Sequence, residues 1–118
     1  MRPAPMTVIE TADFMAAADR LIGDVQRQQL IAFVATNPEA GDVIPETGGV
    51  RKLRWGMPGR GKRGGARVIY YYHDERIPIL MLDMYPKNAK VNLSKAERNA
   101  MRKRIPQLIS ALQERRRP

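Results

Sequence analysis

Basic side chains concentrated between positions 51 and 70 are the residues of this chain best suited to chemistry. That stretch holds seven Lys and Arg side chains and no Asp or Glu. Cations fixed on strands suit a polyanion, most commonly RNA or DNA, so the stretch predicts a nucleic-acid contact. A solvated, charged sheet face is the alternative interpretation. The seven side chains are Arg51, Lys52, Arg54, Arg60, Lys62, Arg63 and Arg67.

Lys, Arg and Tyr can cleave RNA without a metal ion, because the RNA supplies its own nucleophile, the 2′-hydroxyl group. An Arg guanidinium is always charged and can bind two phosphate oxygens at once. A Lys crowded by other cations can have a lowered pKa and act as a general base. Composition alone does not single out this reaction.

The chain has few residues that suit a metal site, histidine catalysis or a nucleotide-binding loop. There is no Cys and His73 is the only His, so a thiolate metal site and a pair of catalytic histidines are both excluded. Acidic side chains are sparse after residue 50, which argues against a two-metal nuclease. The segment GRGKRGG lacks the GxxxxGK[ST] pattern of a nucleotide-binding loop. We therefore expect no metal ion and no small-molecule cofactor.

Charge is unevenly distributed along the chain. Residues 1–50 hold 3 basic and 7 acidic side chains, whereas residues 95–118 hold 8 and 2, which favours one electropositive face. The length fits one domain over residues 1–118, with flexible first residues and a flexible tail from about residue 114. No apolar run approaches the ~18 residues of a membrane span and no signal peptide is evident, so we expect a cytoplasmic protein.

Hydrophobic periodicity predicts an α+β fold with the element order β-α-α-β-β-β-α. The sheet should be antiparallel, with helices on one face and the other face open. Ser94 and Glu97 form a capping box for the last helix, and Pro106 should kink or break it. The predicted elements are strand 6–10, helices 12–22 and 25–36, strands 50–55, 66–72 and 79–87, and a helix from residue 95.

Alternation along the strand at 50–55 separates its side chains into two sets. Leu53 and Trp55 alternate with Lys52 and Arg54, and successive strand side chains point to opposite faces. If Leu53 and Trp55 meet the helices, the two cations share the open face.

The last strand and the tyrosines could extend this surface. Tyr85 and Lys87 share a face, and a suitable register would place them with the cations of the strand at 50–55. Bases could stack on Tyr71, Tyr72 or Tyr85, although we expect at least two of the tyrosines at 70–72 to pack instead. The residues expected to contact RNA are Arg51, Arg60, Lys62, Arg63, Tyr71 and Lys90.

Three segments together resemble the HigB branch of the RelE/ParE toxin superfamily. They are GDVIPETGGVRKLRWG, GKRGGARVIYYY and MLDMYPKNAKVNLSKAERNAMRKRI, and the likeness covers roughly residues 39–105. The resemblance implies a RelE-like fold in which helices pack on a curved antiparallel sheet. It also implies a ribosome-dependent mRNA endonuclease, the toxin of a type II toxin–antitoxin system, which cleaves by 2′-hydroxyl attack on the adjacent phosphate.

The resemblance further implies two partners, the ribosomal decoding site with its mRNA and a HigA-like helix-turn-helix antitoxin. The antitoxin could dock on the acidic residues 1–50, which we favour, or cover the basic face. A ParE-like inhibitor of DNA gyrase without nuclease activity and a passive RNA-binding module remain as alternatives.

By position, the resemblance implies catalytic roles for five residues, Lys52, Arg54, Arg67, Tyr85 and Lys87. Arg54 and Arg67 would hold the scissile phosphate, and Tyr85 would orient the RNA. Either Lys52 or Lys87 would act as the base or stabilise charge. The ending YPKN differs from the Arg-then-Tyr ending of the RelE type, so the identity of the base stays open.

Overall fold

The computed structural model of this protein describes residues 5–56, 65–89 and 92–115. It confirms the predicted α+β class. One element was not predicted, a two-residue strand within the loop that follows the second helix. The elements are β1 (Val8–Glu10), α1 (Ala12–Leu21), α2 (Gly23–Thr36), β2 (Asp42–Val43), β3 (Val50–Trp55), β4 (Ala66–Tyr71), β5 (Ile79–Pro86) and α3 (Lys95–Arg115).

The five strands form one curved, open sheet in the order β1-β5-β4-β3-β2. Strands β2 to β5 pair antiparallel, but β1 pairs parallel to β5. The prediction of an antiparallel sheet is therefore wrong for β1. Parallel neighbours need a long crossover connection, and here all the elements between β1 and β5 provide it.

Helices α1 and α2 cover one face of the sheet, which we call the helical face. Thr11 positions α1: its hydroxyl accepts a hydrogen bond from the Phe14 amide at 3.3 Å and donates to the Met81 carbonyl on β5 at 2.8 Å. The predicted separation along β3 is confirmed, since Leu53 is buried in this core and Trp55 packs against it. The principal core residues are Phe14, Ala18, Leu30, Val34, Leu53, Val68, Tyr70, Ile79 and Met81.

Helix α3 packs on the opposite face, so the prediction that all helices share one face is wrong. Ile105 and Leu93 are buried there with Ile69 and Leu80 of the sheet. Strands β4 and β5 carry apolar side chains on both faces, and each face needs a cover. The part of this second face that carries Arg54 and Lys52 is called the cationic face below.

A β-bulge interrupts the pairing of β4 with β5. Tyr70 pairs with Met81 but Ile69 pairs with Asp83, which leaves Leu82 as the extra residue. A bulge bends the strand and increases its local twist.

The predicted capping box of α3 is confirmed. The Glu97 amide donates to the Ser94 hydroxyl at 3.1 Å, and the Ser94 amide donates to the Glu97 carboxylate at 2.9 Å. The helix continues through Pro106 to Arg115, so the expected break is absent. Pro106 is exposed, where water can hydrate the carbonyl that loses its partner. Residues 1–4 and 116–118, expected to be flexible, lie outside the described residues.

Candidate nucleic-acid interface

Two tight anchors hold the segment that leads into β3. The Tyr70 hydroxyl donates to the Pro38 carbonyl at 2.7 Å and accepts from the Gly41 amide at 2.8 Å. A Cβ on Gly41 would lie only 3.0 Å from the Tyr70 ring, which explains the Gly of the GDVI segment. Burial raises the pKa of the Tyr70 hydroxyl above its ordinary value, so the neutral phenol that makes both hydrogen bonds is favoured.

The turn before β3 is the second anchor. The Thr47 hydroxyl donates to the Ile44 carbonyl at 2.6 Å and accepts from the Val50 amide at 3.1 Å. Gly49 has φ 123°, a conformation that L side chains rarely adopt. The TGG motif therefore serves to deliver β3 in register.

That register places three of the predicted site residues in one row across the cationic face. Arg54 lies directly opposite Arg67, and Arg67 lies directly opposite Tyr85. Neighbouring strands are about 4.8 Å apart, so the Arg54 and Arg67 side chains extend from adjacent strands on the same face of the sheet. The predicted grouping of Tyr85 with the cations of β3 is confirmed.

The Arg54–Arg67 pair is electrostatically unfavourable in the free protein. Like charges directly opposite one another destabilise a sheet. In the part of the chain that the structure describes, no hydrogen bond or ion pair involves either side chain. Such a pair is suited to share an anion, because two guanidinium groups can each bind phosphate oxygens bidentately.

Lys52 lies one row along β3 from Arg54 and on the same face. It pairs across the sheet with Ile69 and, on the other side, with Asp42 of β2. Its ammonium donates to the Asn92 side-chain oxygen at 2.9 Å. This contact ties Lys52 to the segment that leads into α3.

Tyr85 and Lys87 stand at the end of β5 but differ in exposure. The Tyr85 side chain is only 6% exposed and packs in the same core as Leu93. Lys87 is exposed in the turn after the strand, where its amide donates to the Gly65 carbonyl at 2.9 Å. The structure therefore leaves Tyr85 little surface for stacking a base.

Arg51 and Tyr71, both expected to contact RNA, lie apart from the row. Arg51 is on the helical face, where its guanidinium donates to the Gly41 carbonyl at 2.8 Å and lies 5.8 Å from the centre of the Tyr72 ring. Tyr71 is 5% exposed in the core beneath α3. Alternation in β3 places Arg51 on the face opposite Arg54, and Tyr71 lies in the core beneath α3, so neither belongs to the Arg54–Arg67–Tyr85 row.

The other expected RNA contacts, Arg60, Lys62, Arg63 and Lys90, lie outside the described residues. His73 is exposed after β4, as predicted, and stacks on Tyr71 with a ring separation of 6.4 Å. Over the described ranges, no three His, Cys, Asp or Glu side chains come close enough together to hold a metal ion. None of the helices described there has the length and apolar character needed to cross a membrane.

Two residues near Lys52 could not be identified from the sequence, namely Asn92 and Arg98. Both line a cleft with Lys52 at the β2 edge of the sheet. Asn92 follows Lys52 by 40 positions, and no spacing pattern links them. The capping box at Ser94 located the start of α3 but not the face on which that start would lie.

A comparison with known protein families found a match over most of the chain. The model of a family described as "RelE toxin of RelE / RelB toxin-antitoxin system" matches residues 6–116. The match spans every strand and helix described above. The chain therefore belongs to the RelE toxin family of toxin–antitoxin systems.

Proposed function

We propose that this toxin is a HigB-like, ribosome-dependent mRNA endonuclease that acts in the cytoplasm as one domain. The observation that carries the proposal is the pairing of Arg54 with Arg67 on the cationic face. Two always-charged guanidinium groups without an acidic partner in the described residues are costly unless an anion joins them. A phosphodiester of mRNA at the decoding site would be that anion.

In the proposed reaction the 2′-hydroxyl oxygen attacks the adjacent phosphorus and the 5′-oxygen of the next nucleotide leaves. The products are a 2′,3′-cyclic phosphate and a free 5′-hydroxyl. Arg54 and Arg67 would stabilise the negative charge that builds on the phosphorane oxygens. The reaction needs neither a metal ion nor a cofactor.

Proton transfer is assigned to the lysines at the two ends of the site. Lys52, held by Asn92, or the exposed Lys87 would take the 2′-hydroxyl proton or offset charge at the leaving oxygen. Tyr85, being largely buried, would act by supporting the position of Arg67 on the neighbouring strand. This is a narrower role than orienting the RNA by stacking.

The test is brief induction of the protein without its antitoxin, followed by primer extension on translated and untranslated copies of one message. We expect growth arrest and new 5′ ends within the translated copy only. Intact messages together with inhibited DNA supercoiling would support the gyrase alternative. RNA binding without new 5′ ends would support the passive-module alternative.

We further propose that the antitoxin is HigA-like and docks on the outer side of α1 and α2. These two helices expose apolar side chains, Val25 at 69%, Met15 at 41% and Phe33 at 39%. They belong to the acidic half of the chain, which ribosomal RNA would repel. Hydrogen exchange on the complex should protect α1 and α2; protection confined to β3, β4 and β5 would instead show direct covering of the cationic face.

A further inference from the structure

Helix α3 carries a concentration of cations at its start, and the fold supplies acceptors for only some of them. Residues 95–104 hold five Lys and Arg side chains and one Glu. Arg104 lies 3.1 Å from the Asp13 carboxylate of α1, and Arg98 donates to the Leu93 carbonyl at 3.2 Å. These two cations belong to the framework of the fold. The other three are Lys95, Arg102 and Lys103.

Lys95, Arg102 and Lys103 lie together on the side of α3 that faces away from the sheet, which we call the outer side of α3. Arg102 and Lys103 follow Lys95 by seven and eight positions, about two helical turns, and all three side chains are exposed. Ile105 instead points into the core beneath the helix. Within the described ranges, none of the three cations has an ion pair, and Arg102 donates only to the neutral Asn99 side chain at 3.3 Å.

The two helices on the other face of the sheet have the opposite balance of charge. The exposed charged side chains of α1 and α2 are Asp13, Asp19, Asp24 and Arg20, so acids outnumber cations there. Charges of either sign keep a helix soluble, so solubility does not explain why the cations gather on α3. A separation of charge between two sides of a molecule favours a polyanion on the positive side.

The outer side of α3 and the cationic face point in the same direction, because α3 packs on the face of the sheet that carries Arg54 and Arg67. A large RNA that reaches this pair of arginines would therefore pass close to α3 as well. The three exposed cations span about 12 Å along the helix axis. That length corresponds to roughly three phosphates of one duplex strand, at about 3.4 Å of axial rise for each nucleotide.

The composition of α3 indicates which form of RNA fits. The helix contains no Phe, Tyr or Trp, whereas proteins that hold single strands combine cations with aromatic side chains on which bases stack. Double-stranded RNA is recognised by its shape and through its phosphates. We propose that the outer side of α3 binds the phosphate backbone of double-stranded RNA, as a contact separate from the Arg54–Arg67–Tyr85 row. Its assignment to a helix of ribosomal RNA rests on the proposed function; duplex binding itself does not.

The test begins with binding, so that it does not depend on cleavage. The probes are a short RNA duplex and one of its strands alone, both 2′-O-methylated so that no 2′-hydroxyl can attack. Arg102→Glu in the full chain should weaken duplex binding by about tenfold and strand binding by less than about twofold, because a phosphate contact is lost and a repulsion is gained only in the duplex complex. The matched control is Arg20→Glu on the exposed side of α1, which reverses the same charge and should change duplex affinity by less than about twofold.

Salt dependence and kinetics give the second measurement. Arg102→Gln removes one phosphate contact, so the slope of log duplex affinity against log salt should become shallower by about 0.9. On ribosomes, Arg102→Glu should raise KM for cleavage and leave kcat close to that of the wild type, because the contact aids association and not chemistry. Arg67→Ala should do the reverse, losing cleavage and keeping duplex affinity. Circular dichroism checks folding, and Lys103→Glu is the second variant if Arg102→Glu is unstable.

The outcomes separate this proposal from the nuclease. Equal effects of Arg102→Glu and Arg20→Glu would overturn the duplex contact, because a general loss of positive charge would then explain both. Equal weakening of duplex and single-strand binding would also overturn it and would assign α3 to the path of the mRNA. Each of these results leaves the nuclease standing if translated messages are cut. Duplex binding that depends on Arg102, in a protein that leaves messages intact, would overturn the nuclease alone.

Discussion

The arginines on the two faces of the sheet differ in the partners that the fold gives them. On the helical face, Arg27 lies 2.7 Å from Glu10 and 2.6 Å from Asp24, and these contacts raise the pKa of Arg27 above its ordinary value. Arg51 on the same face donates to two backbone carbonyls. On the cationic face, Arg54 and Arg67 oppose one another with no such partner in the described residues.

The number of positive charges in a segment therefore says little about which of them are available to a ligand. Arg51 and Arg54 are three positions apart in one strand, yet one is part of the framework and the other is available to a ligand. What separates them is whether the described part of the chain already supplies an acceptor. A cation that the fold leaves without an acceptor is the better candidate for function.

The largest expected effect comes from removing a cation of the row. Arg67→Ala should lower the mRNA cleavage rate by about 10²–10³-fold, because the contact strengthens as charge builds in the transition state. The melting temperature should stay the same or rise slightly, since a like-charge pair is relieved. Cleavage and thermal unfolding are both measured.

Arg51→Ala is the control within the same strand. It should lower the melting temperature through the loss of its hydrogen bonds to the Glu39 and Gly41 carbonyls and leave the cleavage rate close to that of the wild type. If Arg51→Ala loses cleavage while Arg67→Ala keeps it, the comparison between the two faces is reversed.

A smaller effect is expected from Tyr70→Phe on the helical face. Loss of the hydroxyl leaves the Pro38 carbonyl and Gly41 amide without their partner, at a cost of about 1–3 kcal/mol in the free energy of unfolding. Urea denaturation measures this change. A variant as stable as the wild type would show that the anchor is not needed to hold the segment from Pro38 to Gly41.

The same variant has a signature in pH. The pKa of Tyr70 is raised in the folded state, so its contribution to stability is complete below the ordinary Tyr pKa of about 10 and is lost as the pH rises through the folded-state pKa. Stability at alkaline pH should therefore fall less steeply in Tyr70→Phe. Burial also raises the pKa of Tyr71, so part of the fall in stability with pH remains in this variant. A fall identical to that of the wild type would contradict the assignment to Tyr70.

The smallest effect concerns salt. If Lys52, Arg54 and Arg67 each displace a counterion from single-stranded RNA, the slope of log affinity against log salt is about −2. A fourfold rise in salt would then weaken binding roughly twentyfold. Arg54→Ala should reduce the slope by about 0.7, whereas Arg51→Ala should not change it. Equal slopes in both variants would mean that the faces do not differ in their contact with RNA.

The sequence predicted best where alternation was strict. In β3, Leu53 and Trp55 are apolar and Lys52 and Arg54 are charged, so the faces separate without ambiguity. The same alternation places Arg51 on the face opposite Arg54, and that pattern could have excluded Arg51 from the predicted cationic surface. A count of charges over the stretch obscured it.

Prediction failed where both faces are apolar. In β5 the run ILMLDMYP has a single charged side chain, Asp83, which follows the bulge, and nothing in the run reveals the bulge at Leu82. The apolar stripe of α3, with Ile105 and Leu108, showed that the helix must pack but not on which side. The contact of Lys52 with Asn92 depends on that choice, so the cleft could not be predicted either.

The bulge at Leu82 has a consequence for how this chain tolerates length changes. Before Leu82, the odd-numbered side chains of β5 point to the helical face. After Leu82, the even-numbered side chains do so, as Met81 and Met84 show. Loss of Leu82 alone would restore a regular ladder and keep Tyr85 opposite Arg67. Loss of one residue after the bulge would turn every later side chain over, as a frameshift changes every later codon. Leu82 is thus the position in β5 at which a single deletion would remove the local bend of the sheet while Arg54, Arg67 and Tyr85 stayed in one row.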